Sequence, residues 1–166
     1  MGGEKPFEKQ LDHIFDSKQY DMANEPDIAY PYLYNFLKGK EWKTQQKVDQ
    51  LINEYFQNKP AGLPGNEDTG VMSAWLIYGM AGFYPITPAE PNYTFTSPKF
   101  TKITLKRNPQ YYPVGDLVIE SNASPENIYI KNIYIDDKPY KSYFISHEAL
   151  KNAKKIRFEL ISKLGN

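Results

Sequence analysis

The spacing of the apolar residues changes once along this chain of 166 residues, and that change limits the possible folds more than any other feature. Up to about residue 84, apolar side chains recur every three or four positions, as in amphipathic helices. The segment "GFYPITPAEPNY" then breaks the pattern with three prolines, and after it apolar and polar residues alternate as in half-buried strands. Helices followed by strands predict an α+β fold with two parts, residues 1–84 and 85–166, rather than an alternating α/β sheet.

The first part is predicted to be an incomplete helical assembly. Apolar spacing and breaker residues place four helices near residues 7–15, 26–39, 48–56 and 69–81. The fourth, "VMSAWLIYGMA", has no polar face, and a helix that is apolar all round has to be buried on every side. Three short amphipathic helices cannot surround it and also bury their own apolar faces. We therefore expect this part to need more chain or a partner.

The second part is predicted to be an antiparallel, β-sandwich-like sheet. The segments "TKITLKR", "DLVIES", "NIYIKNIYID", "SYFISH" and "KIRFEL" indicate five or six strands. In the third of these, Ile128 and Ile130 share a parity that Ile133 and Ile135 do not. A β-bulge near residues 131–132 would return all four side chains to one face.

Composition excludes several classes of partner and site. Twenty basic and twenty acidic residues cancel, and there is no basic tract, so nothing favours nucleic acid or an anionic membrane surface. Without cysteine there is no disulfide, thiolate or Cys-type zinc site, and the two histidines, His13 and His147, lack a second histidine at zinc-ligand spacing. No apolar run predicts a membrane span, and the N-terminus lacks the apolar core of a signal peptide.

Two loops each present an amide beside an acid: "ANEP" at 23–26 and "PGNEDTG" at 64–70. Either loop could simply cap the helix that follows it, since acids in a first turn gain about 0.3–1 kcal/mol from the helix dipole. Two such loops at similar helix entrances could instead form a shared polar rim. Carboxylates and amides on such a rim suit sugar hydroxyls, a hard cation such as calcium, or general acid–base chemistry. The residues alone leave these readings open.

Most of the chain resembles the C-terminal part of glycoside hydrolase family 92. The resemblance is carried, in order, by "GGEKPFEKQLDHIF", "NEPDIAYPYLYNF", "KTQQKVDQLINEYF", "GLPGNEDTGVMSAWLIYGMAGFYPITPAEPNYTFTSPKFTKITL" and "YFISHEAL". It implies calcium-dependent, exo-acting α-mannosidases, which pair a β-sandwich domain with an (α/α)6 barrel and invert the anomeric centre. Residues 1–84 would then be the last helices of such a barrel, and mannose-containing glycans would be the substrates.

The resemblance also implies roles for the two loops. The family's general base lies in the loop that corresponds to "GNED", so Asp68 is the expected catalytic residue, with Asn66 and Glu67 as substrate-binding residues. The loop "ANEP" is similar to the family's "GNEP" loop at the calcium and sugar end of the site. Asn24 and Glu25 are therefore the expected metal-binding residues.

Departures from the family pattern limit what the chain is expected to do alone. Ala23 replaces the motif's usual glycine and Met22 a frequent histidine, so the family's subsite specificity does not carry over to this chain. Val71 replaces a frequent glutamine, which weakens the polar lining next to the base. The family's general acid and β-sandwich lie upstream of the matched part, so we expect no catalysis by this chain without the missing N-terminal part. Family members are typically exported to the periplasm or cell surface, which the chain's N-terminus does not itself indicate. The alternative is a non-catalytic carbohydrate-binding or structural module.

Overall fold

Helices make up the first half of the structure. The computed structural model describes residues 2–87 and 89–164, and it divides the chain into two units, Met1–Leu76 and Ile77–Asn166. In chain order the helices are α1 (Glu4–Asp16), a 3-10 helix (Glu25–Phe36), α2 (Glu41–Tyr55), a short 3-10 helix (Asp68–Gly70) and α3 (Val71–Ala81). All four predicted helices are present. The predicted boundary between the two parts, at residue 84, falls just after the end of α3. That these parts are separate domains stays a prediction.

The second predicted helix is a 3-10 helix of 12 residues rather than an α-helix. Pro26 and Pro31 lack the N–H that an α-helix would use, and a proline ring inside an α-helix also clashes with the carbonyl four residues earlier. The tighter 3-10 winding still buries Tyr32 and Tyr34 completely.

Polar contacts join the helices of the first unit. Lys43 Nζ on α2 lies 2.8 Å from a Glu8 carboxylate oxygen and 2.7 Å from an Asp12 oxygen, both on α1. The Tyr34 hydroxyl of the 3-10 helix donates to Asp12 at 2.9 Å, beside an apolar cluster that includes Leu11. Burial, followed by the hydrogen bond to Asp12, raises the pKa of Tyr34, so this hydroxyl stays a donor.

The second unit contains two sheets and one more helix. Its elements are β1 (Phe83–Tyr84), β2 (Asn92–Phe95), β3 (Lys102–Leu105), β4 (Leu117–Ser121), β5 (Tyr129–Ile135), β6 (Lys138–Tyr140), β7 (Phe144–Ser146), α4 (His147–Asn152) and β8 (Lys155–Ile161). One sheet has the order β1-β2-β7 and the other β3-β4-β8-β5-β6. The α+β class is confirmed. The prediction of a purely antiparallel sheet needs one correction, because β4 and β8 are parallel, which the long crossover through α4 allows.

The bulge predicted from the sequence is present in β5. The pairing register between β5 and β8 shifts between Ile130 and Asn132. As a result Ile130 and Ile133, which differ in parity, are both buried in the core of this unit.

As the sequence led us to expect, the other helices of this chain do not bury α3 on every side. Met72 and Trp75 are buried, but Ile77 is 63% exposed. Ile77 is the only residue of α3 that is exposed, and the apolar face that remains at the surface is centred on it. None of the helices in the described residues is long and apolar enough to cross a membrane.

Candidate active site

The acid-bearing loop, residues 62–70, is held in a strained turn. Asn66, Glu67 and Asp68 are all exposed. Directly after Asp68, Thr69 adopts φ 50° and ψ 24°, a left-handed conformation that a β-branched residue rarely takes, and Gly70 follows at φ 84°. Such strain persists only where surrounding contacts hold it, and it is common at functional sites. Asp68 therefore stands on a turn of fixed shape rather than on a loose loop.

Glu67 ties this turn to the first turn of α3. Its two carboxylate oxygens accept hydrogen bonds from the Ser73 N–H at 3.1 and 3.2 Å, and the Ser73 hydroxyl donates to one of them at 3.0 Å. An acid at this end also interacts favourably with the helix dipole. Glu67, rather than Asn66 or Asp68, is thus the side chain that caps the helix, and its partner Ser73 lies six residues later.

The two loops predicted to form one rim are in contact. Gly65 has φ +62°, and a Cβ added there would lie 3.2 Å from the Ala23 Cα and closer still to the Ala23 methyl carbon. Only glycine allows this approach. The structure thus brings the two loops together at Gly65 and Ala23.

A buried tryptophan joins the helices that follow these loops. Trp75 on α3 donates from its indole nitrogen to the carbonyl of Ile28 in the 3-10 helix at 2.9 Å. Its ring stacks on Phe56, with centroids 5.6 Å apart, and meets Tyr32 edge-on. Because each loop leads directly into one of the joined helices, Trp75 fixes the distance between the two loops.

The contact between the loops can be tested by adding one methyl group. Gly65→Ala is expected to lower the free energy of unfolding by about 2–4 kcal/mol, because a left-handed alanine is strained and its methyl group meets Ala23. Gly39→Ala is the matched control, since Gly39 has φ +76° but nothing within 4 Å of an added Cβ. We expect it to cost only the backbone strain, about 1–2 kcal/mol.

Urea denaturation of both variants and of the double variant Gly65→Ala/Ala23→Gly measures the contact directly. The double variant should recover the steric part of the loss. Equal losses at positions 65 and 39, with no recovery on shortening Ala23, would show that the loops do not touch.

The loop at 23–26 is organised by a buried acid that the sequence reading did not single out. Asp27 is 8% exposed and accepts from the Asp21 N–H at 3.0 Å and from the Asn24 side-chain amide at 3.3 Å. Asn24 is the N-cap residue and Asp27 is the third residue after it, a spacing that resembles a capping box. This spacing was the sequence signal that could have identified Asp27. Asn24 is thus anchored through its nitrogen, and both Asn24 and Glu25 are exposed.

The residues described here do not by themselves fit a complete calcium site. Calcium takes six to eight oxygen ligands. Within residues 2–87 and 89–164, no group of three or more histidine, cysteine, aspartate or glutamate side chains is arranged to hold a metal ion. Asn24 Oδ1 and the two Glu25 carboxylate oxygens are three oxygens at most, so a calcium ion at this rim would need further ligands. Calcium binding stays a prediction.

Neither histidine lies in the two loops. His13 is exposed on α1. His147 begins α4 in the second unit, where its Nδ1 is 3.1 Å from the Tyr93 hydroxyl oxygen. The sequence placed it at the end of a strand, and the Ser146 hydroxyl, which accepts from the Ala149 N–H, marks the helix start instead.

Comparison with known proteins identifies the family. The model of the glycosyl hydrolase family 92 catalytic domain matches residues 1–162. The chain belongs to glycoside hydrolase family 92. The resemblance in the quoted segments is therefore confirmed over nearly the whole chain.

Similar proteins include two solved family 92 mannosidases and one glycosidase from Arthroderma benhamiae. The chain is 32% identical to the family 92 α-mannosidase BT3965 from Bacteroides thetaiotaomicron, with a TM-score of 0.88, covering 97% of this chain and 22% of that one. The family 92 inverting mannosidase BT2199 from the same species is 28% identical, with a TM-score of 0.76, over 89% of this chain and 20% of that one. An "uncharacterized secreted glycosidase" from Arthroderma benhamiae is 26% identical over 152 residues, 92% of this chain and 20% of the relative. The chain thus spans about one fifth of the length of these relatives.

Proposed function

We propose that the chain is one part of the catalytic domain of an inverting α-mannosidase, and that Asp68 is its general base. The observation that supports this proposal is the close approach of Gly65 to Ala23, which brings the loops at 62–70 and 23–26 together. Two solved relatives support the substrate class. BT3965 has been solved with mannoimidazole, and BT2199 is described as an inverting mannosidase.

Inversion at a sugar carbon needs two carboxyl groups roughly 6.5–9.5 Å apart. One protonates the leaving oxygen, while the other takes a proton from the water that attacks the opposite face. Asp68 is exposed on a fixed turn, which suits the second role. We assign the first role to a residue outside this chain, and therefore expect no hydrolysis by the chain alone.

The other rim residues take supporting roles in this proposal. Asn66 is exposed two residues before Asp68 and would orient the attacking water or a sugar hydroxyl. Glu67 was predicted to bind substrate, but its bonds to Ser73 favour a role in holding the turn. Asn24 and Glu25 would contribute oxygens to calcium, with the remaining ligands supplied from elsewhere.

The exposed apolar face of α3 supports a missing partner. Ile77 is a large apolar side chain that is mostly in water, and the chain corresponds to about one fifth of its relatives. We propose that this face packs against the remainder of the parent enzyme. The secreted relative supports export of that parent protein.

The test is to supply the rest of the domain. In BT3965, the segment that matches this chain would be replaced by residues 1–162, and hydrolysis of an aryl α-mannoside would be followed with calcium present. We expect turnover from the hybrid and none from either piece alone.

The controls are intact BT3965 and its truncated form, with circular dichroism to confirm that the hybrid folds. A folded hybrid without turnover would contradict the proposal. So would turnover by the isolated chain, because the chain would then contain its own acid.

A further inference from the structure

A cavity of about 390 Å³ lies within the second unit, lined by residues between Ile77 and Lys151. None of these lining residues belongs to the loops of the candidate active site. Leu105, Leu117 and Leu150 provide an apolar surface. The cavity shares Ile77 with the exposed face of α3 but shares no residue with the loops of the candidate active site, so the inference about it does not rest on the role of those loops.

Aromatic rings form much of its wall. Phe83 meets Tyr78 and Tyr93 edge-on, with ring centroids 5.3 and 5.6 Å apart, and Tyr112 and His147 also line the cavity. Rings arranged in this way offer both faces and edges to another ring. Burial, with smaller contributions from nearby phenols, raises the pKa of Tyr93, so its hydroxyl is a neutral hydrogen-bonding group.

The charges that line the cavity are all positive. They belong to Lys106, Arg107 and Lys151, and the lining contains no aspartate or glutamate. Lys106 pairs with Asp116, which lies outside the lining. The Arg107 guanidinium donates hydrogen bonds to backbone carbonyls.

Arg107 is committed to the backbone. Its guanidinium donates to the carbonyls of Gly115 at 2.7 Å, Leu150 at 3.1 Å and Ala153 at 2.7 Å, which fixes the end of α4. Lys151, by contrast, makes no ion pair among the described residues and is half-buried at the cavity. Of the three lining cations, Lys151 is thus the one that makes neither an ion pair nor a backbone contact through its charged group among the described residues.

We propose that this cavity binds a small ring compound that carries one carboxylate or similar anion. The ring packs against the tyrosines and leucines, and the anion pairs with Lys151. Such a compound has either an aromatic ring, as in an aryl acid, or a saturated one, as in a uronic acid. An apolar pocket with a few polar groups that fix orientation is the usual form of a small-molecule site.

The test is an NMR titration of the whole chain with benzoate and with glucuronate. We expect at least one acid to shift the signals of cavity residues, with a dissociation constant on the order of 1–10 mM for so small a ligand. The neutral analogues benzamide and methyl glucoside should bind several-fold more weakly. Preference for benzoate identifies the aromatic source, and preference for glucuronate the saturated one.

A pair of lysine variants separates binding from general charge. Lys151→Gln should weaken binding about fivefold, as expected for losing a partly exposed ion pair. Lys154→Gln removes an exposed lysine outside the lining and should leave binding unchanged. Amide spectra of both variants confirm the fold. Absence of shifts at the cavity with both acids would overturn the proposal, as would equal binding of acids and neutral analogues or equal effects of the two variants.

Discussion

Replacement of Asp68 by asparagine in the hybrid enzyme is expected to lower kcat by about 10²–10⁴-fold, the usual contribution of a general base. Asparagine keeps the shape and the exposed position of the side chain but cannot take a proton from water. Because the change leaves the sugar contacts in place, KM should change little. Steady-state kinetics on an aryl α-mannoside provides the measurement.

Glu67→Gln, one residue away, is the matched control. Its amide still accepts hydrogen bonds from Ser73 through one oxygen, so we expect less than a tenfold loss of kcat and a small loss of stability. Thermal melts of both variants exclude unfolding as the cause. If the two variants lose the same activity, or if Glu67→Gln loses more, Asp68 is not the base.

Replacement of Trp75 by alanine is expected to lower the free energy of unfolding by about 3–5 kcal/mol, as for other large aromatic side chains in a core. The side chain has no measurable exposure, and its loss would leave a cavity between Phe56 and Tyr32. The Ile28 carbonyl would also lose its donor. Urea denaturation, followed by circular dichroism, measures the loss.

Two further variants show how much of the stability lost in Trp75→Ala comes from the hydrogen bond and how much is specific to this tryptophan. Trp75→Phe keeps most of the ring but removes the indole donor, and should cost about 1–3 kcal/mol because a buried carbonyl is left unsatisfied. Trp42→Ala removes the other tryptophan, which is only half-buried on α2, and should cost less than Trp75→Ala. Equal losses for the two alanine variants would show that Trp75 does not anchor the 3-10 helix.

Much of the fold could be predicted from periodicity, because helices and strands repeat with different spacings. The α+β order, the four helices and the bulge in β5 all follow from local patterns of this kind. What could not be predicted depends on contacts distant in sequence. The parallel pairing of β4 with β8 is set by a crossover, and no local pattern of either strand encodes it.

For the candidate site too, local features could be predicted from the sequence and contacts between distant residues could not. The sequence identified both loops, since amides and acids beside glycine or proline are visible in a single pass. It could not show that Gly65 touches Ala23, because 42 positions separate them and only the packed helices decide the approach. It also could not distinguish the tasks of Glu67 and Asp68, because the bond to Ser73 depends on the left-handed turn at Thr69.

The most direct measurement of the central claim is a crystal structure of the hybrid enzyme with mannoimidazole bound. We expect the inhibitor at the rim formed by the two loops, with a water within about 2.6–3.2 Å of an Asp68 carboxylate oxygen, the reach that a general base needs. An inhibitor bound in a site that neither loop lines, with Asp68 facing bulk solvent, would contradict it.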